Sequence, residues 1–187
     1  FGSPDLDLRP PEMKRSTMPL WVTECPGCGY VAANLEAEPL FDVALLQTDG
    51  YKSCDGLDFP THLGEKFYRQ HLENVAAGRF RSAAQDLIRA AWTCDDEEED
   101  ELAAALRARA VELFPRFLDR VEDEEREPYL VLCCDLLRRS RQFDRLLREC
   151  RPEEFTEENL ARIVEFERGL AQAGDDRVHR VDEALTD

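Results

Sequence analysis

Cys25 and Cys28, inside the run Glu24-Cys25-Pro26-Gly27-Cys28-Gly29-Tyr30, have the spacing on which two thiolates can bind one tetrahedral zinc ion. A tight turn between them aims both sulfurs to one side. Pro26 shapes that turn, while Gly27 and Gly29 relieve crowding around backbone amides that can donate to sulfur. The preceding residues 20–23 read as a short strand, which a zinc-ribbon knuckle requires, and residues 30–33 read as a second strand or a first helical turn. The competing chemistry is redox. A redox cysteine pair should open a helix inside a thioredoxin-like α/β unit, and no such unit surrounds this one. Structural zinc is therefore preferred over redox thiols and over inert free thiols.

A structural zinc takes four ligands, and one knuckle supplies two. Cys54, in Ser53-Cys54-Asp55-Gly56, and His62 are the nearest further candidates, but their spacing is unlike a second knuckle. The chain opens on Phe1-Gly2-Ser3-Pro4-Asp5 rather than on Met, as if in the middle of a loop. The expectation is a fragment whose remaining two ligands lie upstream of Phe1, so that the zinc site is incomplete in this chain.

Other constellations carry less. Cys54 with His62 or His71 as its base is the enzyme alternative, and Cys25 with Cys28 is the redox one. His71 lies on or beside a helix packing face, where a histidine is more often structural than a ligand or base. Asp55 and Asp58 flank Gly56-Leu57 as in a turn and lack the longer alternating series of a calcium loop. A glycine-rich phosphate loop, a nucleophile elbow and a histidine–glutamate protease helix are all missing. The expectation is a protein that is not an enzyme.

Composition narrows the partners. The net charge is -17, from 41 acidic and 24 basic side chains, and such a surface repels phosphate backbones. Arg138, Arg139 and Arg141 cluster, but on so acidic a chain this reads as a solvated patch, and no nucleic acid is expected. Hydrophobic residues make up 43% of the chain, enough for a real core, yet no apolar run reaches the roughly 18 to 20 residues of a membrane span. Seven cysteines, with Cys133 and Cys134 adjacent, fit a reducing compartment in which most act as small buried hydrophobes. A soluble, cytoplasmic chain is expected.

The elements that would carry these residues are mostly helical. Residues 1–20, with Pro4, Pro10, Pro11 and Pro19, should be extended or irregular. A first helix over 62–77 places Leu63, Phe67, Leu72, Val75 and Ala76 near one face, and Gly78 ends it. A second over 80–92 packs through Ala83, Ala84, Leu87, Ile88 and Ala91. The acidic run 95–101 reads as the cap and first turn of a third helix, reaching about residue 121 with a break at Pro115. Pro128 opens a fourth, followed by helices over 143–150 and about 156–174, with the last dozen residues frayed.

Helices of this length joined by short turns predict stacked antiparallel hairpins. Gly78-Arg79-Phe80 followed by Ala83, Leu87 and Ala90 has the small–large–small spacing of a tetratricopeptide second helix. Arg141-Gln142-Phe143 with Leu146 and Leu147 echoes it about 63 residues later, near twice the usual repeat of about 34.

The run Cys25-Pro26-Gly27-Cys28-Gly29-Tyr30-Val31-Ala32, followed by helices carrying Phe67-Tyr68 and Ala90-Ala91-Trp92, resembles the bacterial proteins grouped as DUF2225. The resemblance covers roughly residues 20 to 150 and implies two cysteine knuckles ahead of a tetratricopeptide-like helical body. On that pattern Cys25 and Cys28 match the second knuckle, the first has no counterpart here, and no established activity follows. The fold expected is mainly α: stacked helix hairpins over 59–187, behind an irregular and β segment over 1–58 with half a zinc ribbon. The function expected is a zinc-binding module that engages a protein or peptide partner and no membrane.

Overall fold

The structure, a computed structural model, describes residues 2–186, with 123 and 124 described by backbone alone. It is mainly helical with one small antiparallel sheet. The chain forms two compact units, one of Ser16–Leu113 and one joining residues 1–15 to 114–187. The division expected after residue 58 is thus replaced. The cysteine segment belongs with the helices that follow it, because side chains of the first long helix bond to its backbone.

In the Ser16–Leu113 unit, a 3-10 turn at Arg15–Leu20 leads into β1 (Thr23–Glu24), which pairs with β2 (Val31–Ala32) in the register Thr23 to Ala32 and Glu24 to Val31. The first strand is shorter and later than expected, since Pro19 and the 3-10 turn occupy the residues before it. Next come the one-turn helix α1 (Asp49–Lys52), then α2 (His62–Ala76), α3 (Phe80–Asp96) and α4 (Asp100–Val111). Thr61 caps α2 by accepting the Gly64 amide, which satisfies one of the donors left over at a helix start. Gly78 ends it in the left-handed conformation at φ 69°.

Helices α2 and α3 run antiparallel, with Gly64 against Thr93 at one end and Asn74 bonded to Asp86 at the other. Gly64 permits this approach. A Cβ there would sit 2.6 Å from Thr93 Oγ1 and 2.9 Å from the Phe59 ring. The buried stripe of α2 is Gly64, Phe67, Tyr68 and His71, spaced by three and four residues. Val75 and Ala76, expected inside, are exposed, and His71 takes the inner position instead. On α3, Ala83, Ala84, Leu87, Ile88 and Ala91 are all buried as expected.

The acidic run divides between two helices. Asp95 and Asp96 finish α3, and Glu98 turns the chain at φ 59°. Only Asp100 and Glu101 occupy the first turn of α4, where they complement the dipole. Asp95 does not cap because it is held by Arg107, whose two terminal nitrogens donate to its oxygens at 2.9 and 2.6 Å. Pro115 begins the short helix α5 (Pro115–Leu118), so the long third helix breaks where its backbone donor is missing.

In the second unit, α6 (Asp123–Arg139) packs on α7 (Phe143–Glu149) and α8 (Glu158–Gln172), and α8 packs on α9 (Val181–Leu185). Pro128 lies inside α6, one turn later than the opening position expected for it. Arg138 is fully buried and ties this unit together. Its Nε pairs with Glu167, one terminal nitrogen donates to Asp135 at 2.7 Å, and the other donates to the carbonyls of Asp175 and Arg177. Burial first, then the neighbouring Asp135, holds the Glu167 carboxyl well above the usual carboxylate range. The chain ends are ordered by each other. Leu6 N–H donates to His179 O at 2.9 Å and Val181 N–H to Pro4 O at 2.9 Å.

Cys134 and Cys150 form a disulfide across 16 residues of chain with their Cα atoms 6.2 Å apart, so these two are exceptions to the expectation that most of the cysteines act as small buried hydrophobes. The two thiols meet because α7 folds back onto α6 and ends at Cys150. Cys54 and Cys94 do behave as small buried hydrophobes. Among the described residues no helix is long and apolar enough to cross a membrane.

Two substitutions test these buried charges. Arg138→Ala strands Glu167 and Asp135 without their cation, and the expected loss is about 3 to 5 kcal/mol of unfolding free energy by urea titration. Asp86 is 2% exposed, and burial raises its carboxyl to about 7 against Asn74 and Arg89, which pull the other way. A raised folded pKa means that its contribution is complete below pH 3.8 and is lost as pH rises through about 7. Asp86→Asn keeps the bond from Asn74, so its urea midpoint should fall less steeply between pH 4 and 7 than that of the unsubstituted chain, in which Glu73 and Glu167 add slope of the same sign.

Candidate metal centre

Cys25 closes the β1–β2 hairpin from one side. Its amide donates to Tyr30 O at 2.8 Å, and its carbonyl accepts from the Gly29 amide at 2.9 Å. Gly29 takes φ 76°, a conformation that a side chain would strain, and this reverses the chain directly after Cys28. The result is a closed turn with Cys25 half-buried and Cys28 exposed, both as free thiols. The Gly27 and Cys28 amides and then the Cys28 thiol point at the Cys25 sulfur and hold its pKa below the ordinary thiol value. A site that stabilises thiolate in this way suits a divalent metal, so the donor set fits half of a zinc centre.

The structure does not bring the other candidates to the pair. Among the described residues no group of three or more His, Cys, Asp and Glu side chains stands ready to hold a metal. Cys54 is buried, its Sγ lies 3.9 Å from the Glu65 carbonyl, and burial pushes its thiol pKa up. His62 turns Nε2 to Glu24 at 2.7 Å and Nδ1 to Glu65 at 3.0 Å. His71 bonds the carbonyl of Ala83 at 3.0 Å, and burial lowers its pKa. Among the described residues no hydrogen bond joins Cys54 to either imidazole. Asp55 sits in a turn, as its sequence context predicts, and accepts from Tyr68 O–H at 2.9 Å.

The residues that position the cysteines came from an unexpected place. Helix α2 carries His62, Lys66, Arg69 and Glu73 at spacings of four, three and four, which puts them on one face. Each reaches the hairpin. His62 and Arg69 pair with Glu24, Lys66 donates to Val22 O at 3.3 Å, and Glu73 Oε1 accepts the Val31 amide at 3.1 Å. Arg69 Nη1 is 2.8 Å from Glu24 Oε1. Tyr51 of α1 adds a shared bond, its hydroxyl lying 2.7 Å from Glu73 Oε1 and 2.8 Å from Gly29 O. Glu73 is 5% exposed, and burial raises its carboxyl to about 7 while the Tyr51 and Val31 donors pull it down. Charged residues at this spacing ordinarily face solvent, and only the hairpin backbone reveals their partner.

The chain matches no protein-family model, no curated protein and no solved structure.

The contrast between the cysteines is measurable. Under limiting iodoacetamide at neutral pH, Cys25 should be alkylated roughly tenfold or more faster than buried Cys54, because the thiolate is the nucleophile. Peptide mass spectrometry over a time course reads the two rates.

Proposed function

We propose that the chain is a non-enzymatic zinc-binding module, in which Cys25 and Cys28 supply two ligands of a structural zinc and the helices present a surface to a protein or peptide partner. The observation that carries this reading is the closed Cys25–Cys28 turn, with amides directed at the Cys25 sulfur. The bound zinc would act as a cross-link, fixing the hairpin without taking part in a reaction.

The same reading treats the β1–β2 hairpin as half of a zinc ribbon and the antiparallel α2–α3 pair as a tetratricopeptide-like hairpin. The close packing at Gly64, Ala83 and Ala84 supports the second point, since small residues let paired helices approach. Kinship with DUF2225 is part of the proposal and rests on the residues named for it. The acidic surface favours a partner with basic character and disfavours nucleic acid. A cytoplasmic location belongs to the same reading and must accommodate the Cys134–Cys150 disulfide.

Metal analysis tests the proposal. Purified protein should carry zinc, chelation should remove it together with amide protection in the hairpin, and Cys28→Ser should prevent loading. A metal-free protein whose Cys25 and Cys28 cycle reversibly through a disulfide would overturn it.

A further inference from the structure

Four side chains of α2 reach the hairpin, but they do not hold it equally. His62 is exposed, with 62% of its side chain in solvent, and its pairing with Glu24 is screened by water. Lys66 reaches a carbonyl before the turn at 3.3 Å. Glu73 differs in burial and in what it grips. It takes the amide of Val31, and through Tyr51 it is joined to the carbonyl of Gly29. These two groups bracket the segment immediately after Cys28. Without Glu73 the buried Val31 N–H loses its acceptor, and without Tyr51 the Gly29 carbonyl loses its donor; such a loss costs more than an exposed ion pair contributes.

We infer that Glu73, with Tyr51, is the positioning residue of the metal turn, holding Cys28 in the orientation in which its sulfur joins Cys25 on one cation. This rests on the zinc reading and adds to it that metal loading is coupled to the α2–α3 hairpin, since Asn74, beside Glu73, bonds Asp86 of α3. The role belongs to hydrogen-bond geometry and not to charge. Both bonds to Glu73 fall on one oxygen, Oε1, and a glutamine carbonyl can accept both.

Cadmium chloride is the probe, titrated into the full chain and its Glu73→Leu, Glu73→Gln and Tyr51→Phe variants. Thiolate-to-metal ultraviolet absorption reports binding. Circular dichroism and backbone amide exchange at Cys25 and Val31 report the fold and the turn. The expected result is a loss of about tenfold or more in cadmium affinity for Glu73→Leu with helix content retained, as is typical when a group behind the ligands is removed. Glu73→Gln should stay within about threefold of the unsubstituted chain, and Tyr51→Phe should fall between them. Val31 exchange should quicken in Glu73→Leu and not in Glu73→Gln.

Equal affinity in Glu73→Leu overturns the inference, as does a Glu73→Gln variant as impaired as the leucine. Should Glu73→Leu lose its helices, Tyr51→Phe decides alone, and unchanged affinity there overturns the inference. Absence of cadmium binding in the unsubstituted chain overturns the zinc reading instead. The hold of Glu73 on the turn is then judged by Val31 exchange, which supports it if faster in the leucine variant alone and overturns it otherwise.

Discussion

A buried carboxylate on a helix that packs in two directions is the constraint on which the Ser16–Leu113 unit depends. Glu73 sits in α2 almost out of contact with water, and a carboxyl in that position must be hydrogen-bonded or protonated. Its partners are the amide of β2 and the hydroxyl of Tyr51, so satisfying the carboxyl requires the hairpin and α1 to be in place. One face of α2 therefore joins the helical core through Phe67, Tyr68 and His71, while another organises the cysteine turn. The cysteines are an extension of the helical core and not an appendage to it.

Buried ions recur in the second unit with the same logic. Arg138 is surrounded by two carboxylates and two carbonyls, drawn from its own helix, from α8 and from the segment that follows α8. Such a cluster contributes little net stability against an apolar core of equal volume, but removing one member is costly. Its effect is to specify where α8 and residues 175–177 lie along α6. The neighbouring arginines follow suit, with Arg139 paired to Asp7 and Arg141 to Asp176. The basic cluster that reads as a solvated patch is paired with carboxylates, Arg138 and Arg139 with buried ones and Arg141 with a partly exposed one.

The two kinds of cysteine separate by local electrostatics. Cys25 has amides and a neighbouring thiol directed at its sulfur, which stabilises the thiolate. Burial pushes the thiols of Cys54 and Cys94 up, Cys94 to about 12. Thiolate character is what metal ligation and nucleophilic chemistry share, and Cys25 has it where Cys54 and Cys94 do not.

From the residues alone, the helical nature of the chain, the faces of α3 and the turn at Cys25 to Cys28 were legible. These are local properties, set by periodicity, by the proline and glycines of the turn, and by the three- and four-residue spacing of small and large apolar side chains. Tertiary structure decided the rest. Asp95 left its capping role for Arg107, Cys134 found Cys150 across a helix turn, and residues 4–6 paired with 179–181 at the opposite end of the chain. The polar stripe from His62 to Glu73 is the clearest case, because a charged residue facing water and one facing a backbone amide look identical until the chain folds. Spacing along a helix says which residues share a face, but what that face meets depends on contacts between residues distant in sequence, such as the 42 that separate Val31 from Glu73.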